Sequence, residues 1–147
     1  MIKKPLVLYV ENQIYHTHID LLKTDFELVI VGSAKEADDL LKKRRFDGVI
    51  LDIMMDADNE KLDPSYLGVP AYFAGLTILD RIITGNYTDY GNDRDLPVVV
   101  VSGVALVEVI RKIRNLVGQC PEGHYFMKPA DFDEVANVLR NAINIRR

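Results

Sequence analysis

Five short apolar runs alternate with five segments of helical periodicity along the chain. The apolar runs cover residues 6–10, 27–31, 48–51, 98–101 and 125–127. Most of them are β-branched and apolar at every position instead of alternating with polar residues. This pattern is typical of strands that are covered on both faces, as in a parallel sheet.

The segments between these runs carry apolar residues at the three- and four-residue spacing of helices. They span residues 13–23, 34–45, 74–84, 104–117 and 132–145. Ser33 with Glu36 three residues later has the spacing of a capping box, and Asp131 is placed to cap the last helix. This β-α alternation predicts a single α/β domain over residues 1–147, with helices on both faces of a parallel sheet.

Composition narrows the functional classes. The net charge of −4 argues against direct nucleic-acid binding, which usually needs a clustered basic face. Cys120 is the single cysteine, so no internal disulfide can form, which suits a reducing cytoplasm. The short apolar run after Lys3 and Lys4 is too brief for a signal peptide, and no run reaches the length of a membrane span. We therefore expect a cytoplasmic protein without membrane contact.

Two stretches interrupt the alternation. Residues 54–73 are rich in acids and small residues, and residues 84–97 are rich in Gly, Asn and Asp and end in a Pro. Both stretches are predicted to be loops. Loops of this length are uncommon in compact domains and are often functional.

The polar residues that follow the predicted strands are the candidates for chemistry, because ligands of open α/β sheets bind at the carboxyl ends of the strands. These residues are Glu11 and Asn12, Ser33, Asp52, Ser102 and Lys128. A carboxylate such as that of Asp52 can attack a phosphoryl group and form an acyl phosphate. Lys128 would supply positive charge and Ser102 a hydrogen bond to phosphoryl oxygens, while Glu11 and Asp52 could hold Mg²⁺.

The ordered set of motifs resembles the receiver domains of two-component response regulators. The matching pieces are "LYVEN", "VILDIMM", "VVVSGVA" and "YFMKPAD", and the resemblance covers residues 5–146. It implies a flavodoxin-like, doubly wound sheet of five parallel strands in the order 2-1-3-4-5 with five helices. It also implies a cis peptide bond between Lys128 and Pro129.

The resemblance assigns a role to each site residue. Asp52 would be the phospho-acceptor, assisted by Lys128 and by the switch hydroxyl of Ser102. Tyr125 sits where the family keeps a rotating aromatic side chain. The Mg²⁺ ligands would be Glu11, Asn12, Asp52 and the backbone carbonyl of Met54.

A receiver domain of this kind is a signalling module and not an enzyme. The expected partners are a sensor histidine kinase or a histidine phosphotransfer protein, and an unidentified downstream protein or output domain. Output would use the surface formed by the fourth helix, fifth strand and fifth helix, which could also carry a homodimer.

Two departures from the family pattern affect these expectations. Most receivers have two adjacent acids after the first strand, whereas Asn12 brings no charge, so we expect weaker Mg²⁺ binding. The segment 56–73 is longer than usual and is expected to lean over the site as a lid, a partner contact or a neutral insertion.

Three alternative functions are each suggested by a single feature of the sequence: a calcium site, a phosphatase and a pseudo-receiver. The acids of residues 56–60 resemble an EF-hand, but Lys61 and Leu67 stand where that motif needs Gly and an acid. A haloacid-dehalogenase-type phosphatase needs an acid two residues after its nucleophile, where this chain has Met54. The uncharged Asn12 keeps one alternative open, a pseudo-receiver that binds proteins without phosphorylation.

Overall fold

The computed structural model describes residues 3–146 and contains one parallel sheet. Its strands are β1 (Leu6–Val10), β2 (Glu27–Val31), β3 (Gly48–Leu51), β4 (Val98–Ser102) and β5 (His124–Met127). Their spatial order is β2-β1-β3-β4-β5, and every neighbouring pair runs parallel. The predicted flavodoxin-like fold and strand order are therefore confirmed.

Among the described residues, four α-helices connect successive strands and a fifth follows the last strand. They are α1 (His16–Asp25), α2 (Ala34–Leu41), α3 (Gly75–Ile83), α4 (Val107–Val117) and α5 (Phe132–Arg146). The side chain of Ser33 accepts a hydrogen bond from the Glu36 amide at the start of α2, as the capping spacing predicts. Asp131 likewise accepts from the Asp133 amide at the start of α5.

Three helices are shorter at one end than their apolar spacing predicts. Tyr15 and Leu106 have extended backbone, so α1 and α4 begin later than residues 13 and 104. α2 ends at Leu41 because the buried side chain of Asn92 donates to the carbonyls of Leu41 and Arg44. A residue from a distant loop thus takes over carbonyls that a longer helix would have bonded internally.

The sheet separates two hydrophobic cores. α1 and α5 cover one face, where Leu22, Phe26 and Leu139 pack with strand residues such as Val7 and Ile50. The other face lies under α2, α3 and α4 and takes the alternate strand residues, such as Leu8 and Val49. Because both faces are covered, the central strands β1, β3 and β4 are almost entirely buried, as expected.

The edge strands are less covered than the sequence pattern predicts. Ile30 in β2 is 37% exposed and Met127 in β5 is 49% exposed, although both belong to apolar runs. An edge strand has a neighbour on one side only, so the helices above and below it cover it incompletely. Apolar character alone did not distinguish these strands from the central ones.

The inserted segment 56–73 packs against α3 and contains two short 3₁₀ helices, Glu60–Leu62 and Pro64–Leu67. Leu62 is buried, and its carbonyl accepts a hydrogen bond from the Thr77 hydroxyl at 2.7 Å. The Tyr66 hydroxyl donates to Asp80 at 2.7 Å. These contacts hold the part of the segment around residues 62–66 along α3, while its end at Tyr72 lines the groove beside Asp52.

Candidate functional site

Backbone hydrogen bonds continue past the strand ends and fix three of the candidate site residues. The Glu11 amide donates to Val31, the Asp52 amide to Val10, and the Lys128 amide to Ser102. Each residue after a strand is thus still attached to the neighbouring strand. Because all the strands are parallel, the side chains of Glu11, Asp52 and Lys128 meet at one edge of the sheet.

The four predicted chemical groups lie in direct contact. The Lys128 Nζ donates to Glu11 Oε1 at 2.6 Å and to Asp52 Oδ2 at 3.3 Å. The Ser102 Oγ donates to Asp52 Oδ1 at 2.7 Å, and the Met54 amide donates to the same oxygen at 3.2 Å. Both carboxylates are buried, with Glu11 3% and Asp52 4% exposed.

Burial and proximity shift the ionisation of this cluster. Burial, reinforced by the adjacent Asp52, raises the pKa of Glu11 well above its ordinary value, although Lys128 opposes the shift. Burial alone would lower the pKa of Lys128, but its contacts with Glu11 and Asp52 outweigh that effect and raise it. Two buried carboxylates therefore share one ammonium, which leaves a net negative charge at this edge when both are ionised.

The groups around Asp52 fit a hard cation. Among residues 3–146 no three His, Cys, Asp or Glu side chains come together as a metal cluster. The predicted oxygen donors are the carboxylates of Glu11 and Asp52, the amide of Asn12 and the carbonyl of Met54. Asn12, Asp52 and Met54 line one groove. Mg²⁺ usually takes one or two carboxylates plus waters, so this donor set suits it.

The remaining predicted residues lie close to this cluster. Tyr125 stands in β5, and its hydroxyl is buried without a hydrogen-bond partner among the described residues. Burial raises the pKa of this hydroxyl. The Lys128–Pro129 bond is cis, as the resemblance implies.

Two concave surfaces meet at the cluster. A groove of about 170 Å³ beside Asp52 and Lys128 is lined by Asn12, Gln13, Met54, Tyr72 and Gly103. A larger pocket of about 480 Å³ lies on the other side of Glu11 and Lys128 and is lined mainly by aromatic and apolar residues, including Tyr9, Tyr15 and Phe132. The sequence did not indicate Tyr72 as a site neighbour, because it stands twenty residues after Asp52 at the far end of a loop.

No protein-family model matches the sequence, and no curated protein matches it. Solved structures match it over nearly its full length. A response regulator receiver domain (CheY-like) from Methanospirillum hungatei JF-1 has a TM-score of 0.69 at 16% identity, covering 98% of this chain and 97% of that one. The signal receiver domain of an HD domain-containing protein from Pseudomonas fluorescens Pf-5 has a TM-score of 0.67 at 23% identity, covering 98% of each chain.

A third structural neighbour is described with a bound metal ion. It is the receiver domain of a sensor histidine kinase from Pseudomonas aeruginosa PAO1, described with a magnesium ion coordinated in its active-site cleft. Its TM-score is 0.65 at 19% identity, and the match covers 97% of this chain and 99% of that one. The structural neighbours are consistently receiver domains, so the chain has the CheY-like receiver fold. Over residues 3–146 no helix is both long and apolar enough to cross a membrane.

Proposed function

We propose that the chain is a phospho-acceptor receiver domain of a two-component or phosphorelay system and that Asp52 takes the phosphoryl group. The observation that carries the proposal is the contact of Asp52 with both Lys128 and Ser102. A strand-end aspartate with only a structural role would not need a half-buried ammonium at one oxygen and a buried hydroxyl at the other. Phosphoryl transfer needs both, because its catalysis depends mainly on positioning and charge neutralisation.

The geometry supports the following reaction. Asp52 Oδ1 already accepts two hydrogen bonds, from Ser102 and Met54, whereas the Lys128 ammonium lies 3.3 Å from Oδ2. Oδ2 therefore keeps a lone pair to attack phosphorus. A P–O bond to Asp52 forms, the bond between phosphorus and the donor breaks, and the donor leaves with that electron pair. Lys128 and the Ser102 hydroxyl then contact the new phosphoryl oxygens.

Mg²⁺ is part of the proposal. When bound, it would neutralise phosphoryl oxygens during transfer. Glu11, Asn12, Asp52 and the Met54 carbonyl would hold it. The receiver domain from Pseudomonas aeruginosa that is described with magnesium in its cleft supports this assignment by analogy.

The proposed phosphodonor is the phosphohistidine of a sensor kinase or of a histidine phosphotransfer protein. Output would pass to a downstream protein through α4, β5 and α5. Apolar side chains exposed at this end of the sheet support that surface: Leu106 is 48% and Val107 57% exposed at the start of α4, and Met127 is 49% exposed at the end of β5. The same patch could carry a homodimer. We propose no enzymatic turnover and a cytoplasmic location.

An intact-mass measurement tests the proposal. The protein is incubated with Mg²⁺ and acetyl phosphate, and an adduct of one phosphoryl group is expected on the wild type and not on Asp52→Ala. The same incubation with EDTA instead of Mg²⁺ should give no adduct. A wild-type protein that stays unmodified with acetyl phosphate and with a cognate kinase would overturn the proposal.

Asn12 favours a second candidate function, a phosphorylation-independent protein-binding module. The uncharged amide leaves fewer negative charges for Mg²⁺ than two adjacent acids would. The same measurement separates the two functions, because the binding module forms no adduct, whereas the phospho-acceptor does.

A further inference from the structure

Tyr72 borders the groove beside Asp52 although it belongs to the inserted segment and not to a strand end. Tyr72 lines the same 170 Å³ groove as Asp52, Met54 and Lys128. It is 47% exposed, so one part of the side chain faces the groove while another faces solvent. None of the chemistry proposed for Asp52 uses this residue.

The backbone holds Tyr72 firmly at this position. Its carbonyl accepts a hydrogen bond from the Met55 amide at 2.9 Å, and the Met55 carbonyl accepts one from Ala74 at 3.1 Å. Met55 and Phe73 form an isolated parallel bridge, and the Tyr72 ring meets the Phe73 ring edge-on at 6.0 Å. The end of the insertion is thus attached to the chain three residues after Asp52.

The other walls of the groove offer less cover. Gly103 contributes no side chain, and Asn12 and Gln13 are exposed polar residues. Lys128 is engaged with Glu11 and Asp52. Tyr72 is the largest of the side chains that line the groove beside the Asp52 carboxylate.

We propose that Tyr72 controls the access of water and small molecules to Asp52 and thereby sets the lifetime of the aspartyl phosphate. In hydrolysis a water oxygen attacks phosphorus, the P–O bond to Asp52 breaks, and Asp52 leaves as a carboxylate while inorganic phosphate and a proton are released. The water must arrive on the side of phosphorus opposite the Asp52 oxygen, and the groove that Tyr72 lines is an approach from solvent to Asp52. The part of the inference that concerns lifetime rests on the proposed function of Asp52.

The first experiment measures the lifetime directly. Wild type, Tyr72→Ala and Tyr72→Phe are phosphorylated with acetyl phosphate and Mg²⁺, the donor is removed, and loss of the adduct is followed by intact mass. We expect Tyr72→Ala to shorten the half-life by on the order of tenfold. Tyr72→Phe keeps the ring and should retain the wild-type half-life.

Tyr66→Ala is the matched control. Tyr66 lies on the same inserted segment and is also exposed, but it contacts Asp80 on α3 and does not line the groove. The half-life of Tyr66→Ala therefore shows the effect of loosening the inserted segment without changing the groove. A half-life shortened equally in Tyr66→Ala and Tyr72→Ala, or unchanged in Tyr72→Ala, would overturn the inference.

The second experiment needs neither phosphate nor Mg²⁺. Asp52→Cys in a Cys120→Ala background introduces a single thiol at the site, and its alkylation by iodoacetamide is followed by mass. Adding Tyr72→Ala should speed alkylation by on the order of tenfold, and adding Tyr72→Phe should leave the rate unchanged. Equal rates in all three proteins would reject access control by Tyr72.

The two experiments separate the possible failures. A wild-type protein that takes no phosphate would overturn the proposed function and the claim about lifetime. The alkylation rates would still decide whether Tyr72 restricts access to position 52. A phosphorylated wild type with an unchanged Tyr72→Ala half-life would overturn the inference and leave the proposed function intact.

Discussion

Asn12 is the residue at which this site departs from the two adjacent acids of most receiver domains, and we expect it to limit how strongly a cation binds. It lines the groove with Asp52 and Met54 and is exposed, so its amide brings an oxygen donor without charge. The buried pair Glu11 and Asp52 already shares its charge with Lys128. Mg²⁺ affinity in such sites rises with the number of charged ligands.

We therefore expect Asn12→Asp to tighten Mg²⁺ binding by about tenfold. Titration calorimetry with Mg²⁺ measures the effect. Gln13→Glu is the matched control, because it adds the same charge one residue away on the same groove. Equal affinities for wild type and Asn12→Asp, or an equal gain in Gln13→Glu, would exclude Asn12 from the ligand set.

The residues of the site differed in how well the sequence revealed them. Glu11, Asp52 and Lys128 could be predicted to meet because each follows a strand of a parallel sheet, where geometry leaves little choice. Tyr72 could not be predicted, since its position depends on the bridge between Met55 and Phe73. Nothing in the intervening residues indicates where a long loop returns to the fold.

At the scale of elements, the close approach of α3 to the end of β3 depends on Gly75. A Cβ added there would lie 2.3 Å from the Asp52 carbonyl oxygen and 2.6 Å from the Ile53 Cα. Both are backbone atoms, so no side chain can move aside. Any larger residue forces α3 away from the strand that carries Asp52.

Gly75→Ala should therefore lower the free energy of unfolding by about 2 kcal/mol or more, as overpacking of a core does. Urea denaturation followed by circular dichroism provides the measurement. Gly32→Ala is the control, because the nearest atom to its added Cβ is 3.9 Å away. A Gly75→Ala protein as stable as the wild type would show that the contact relaxes without cost.

The buried carboxylate of Asp38 connects α2 to α3 and to the second long loop. It accepts hydrogen bonds from Arg81 at 2.8 Å and Tyr87 at 2.5 Å, and it pairs with Lys42 at 2.9 Å. Arg81 also donates to the Lys61 carbonyl of the insertion. Burial of Asp38 acts to raise its pKa, but the bonds from Tyr87, Lys42 and Arg81 outweigh it, and the pKa is lowered.

A carboxyl whose pKa is lowered on folding stabilises the protein above its unfolded pKa of about 3.9 and loses this effect as the pH falls further. Asp38→Asn should lower the free energy of unfolding at pH 7 by about 2 kcal/mol, because the bonds to charged partners are lost. The difference from wild type should shrink below about pH 4. Denaturation at pH 7 and pH 3 checks this prediction.

Asp39→Asn serves as the control for Asp38→Asn. Asp39 is exposed and pairs with Lys35 on the surface of α2. Exposed pairs of this kind contribute little to stability. If the two variants lost the same stability at pH 7, the Asp38 network would have no special importance.

At the scale of the whole molecule, the alternation of five apolar runs with helices predicted a parallel sheet with helices on both faces, whereas the strand order 2-1-3-4-5 was implied by the resemblance to receiver domains and is found in the structure. The exact ends of the helices could not be predicted from the sequence. α2 stops where Asn92 reaches across from residues 84–97, and that contact has no local signal near residue 41. Long-range side-chain contacts of this kind exist only once the fold is complete.

Ligand binding should stabilise the whole domain if Asp52, Ser102 and Lys128 form a phosphoryl site. With Mg²⁺ and beryllofluoride, a phosphoryl mimic, at about 100 times the dissociation constant, the free energy of unfolding should rise by about 2.7 kcal/mol. For a chain of this size, each kcal/mol raises the melting temperature by about 2–4 °C. Thermal denaturation with and without the mimic measures the shift, and an equal shift in Asp52→Ala would place the binding elsewhere.

The bridge between Met55 and Phe73 also makes the inserted segment a permissive site for added sequence. The chain leaves and re-enters the fold at adjacent backbone positions, so the sheet is insensitive to the length between them. Loop-closure entropy grows only logarithmically with that length. A peptide tag or reporter inserted between the exposed residues Asp58 and Asn59 should therefore leave the fold intact and Asp52 in place.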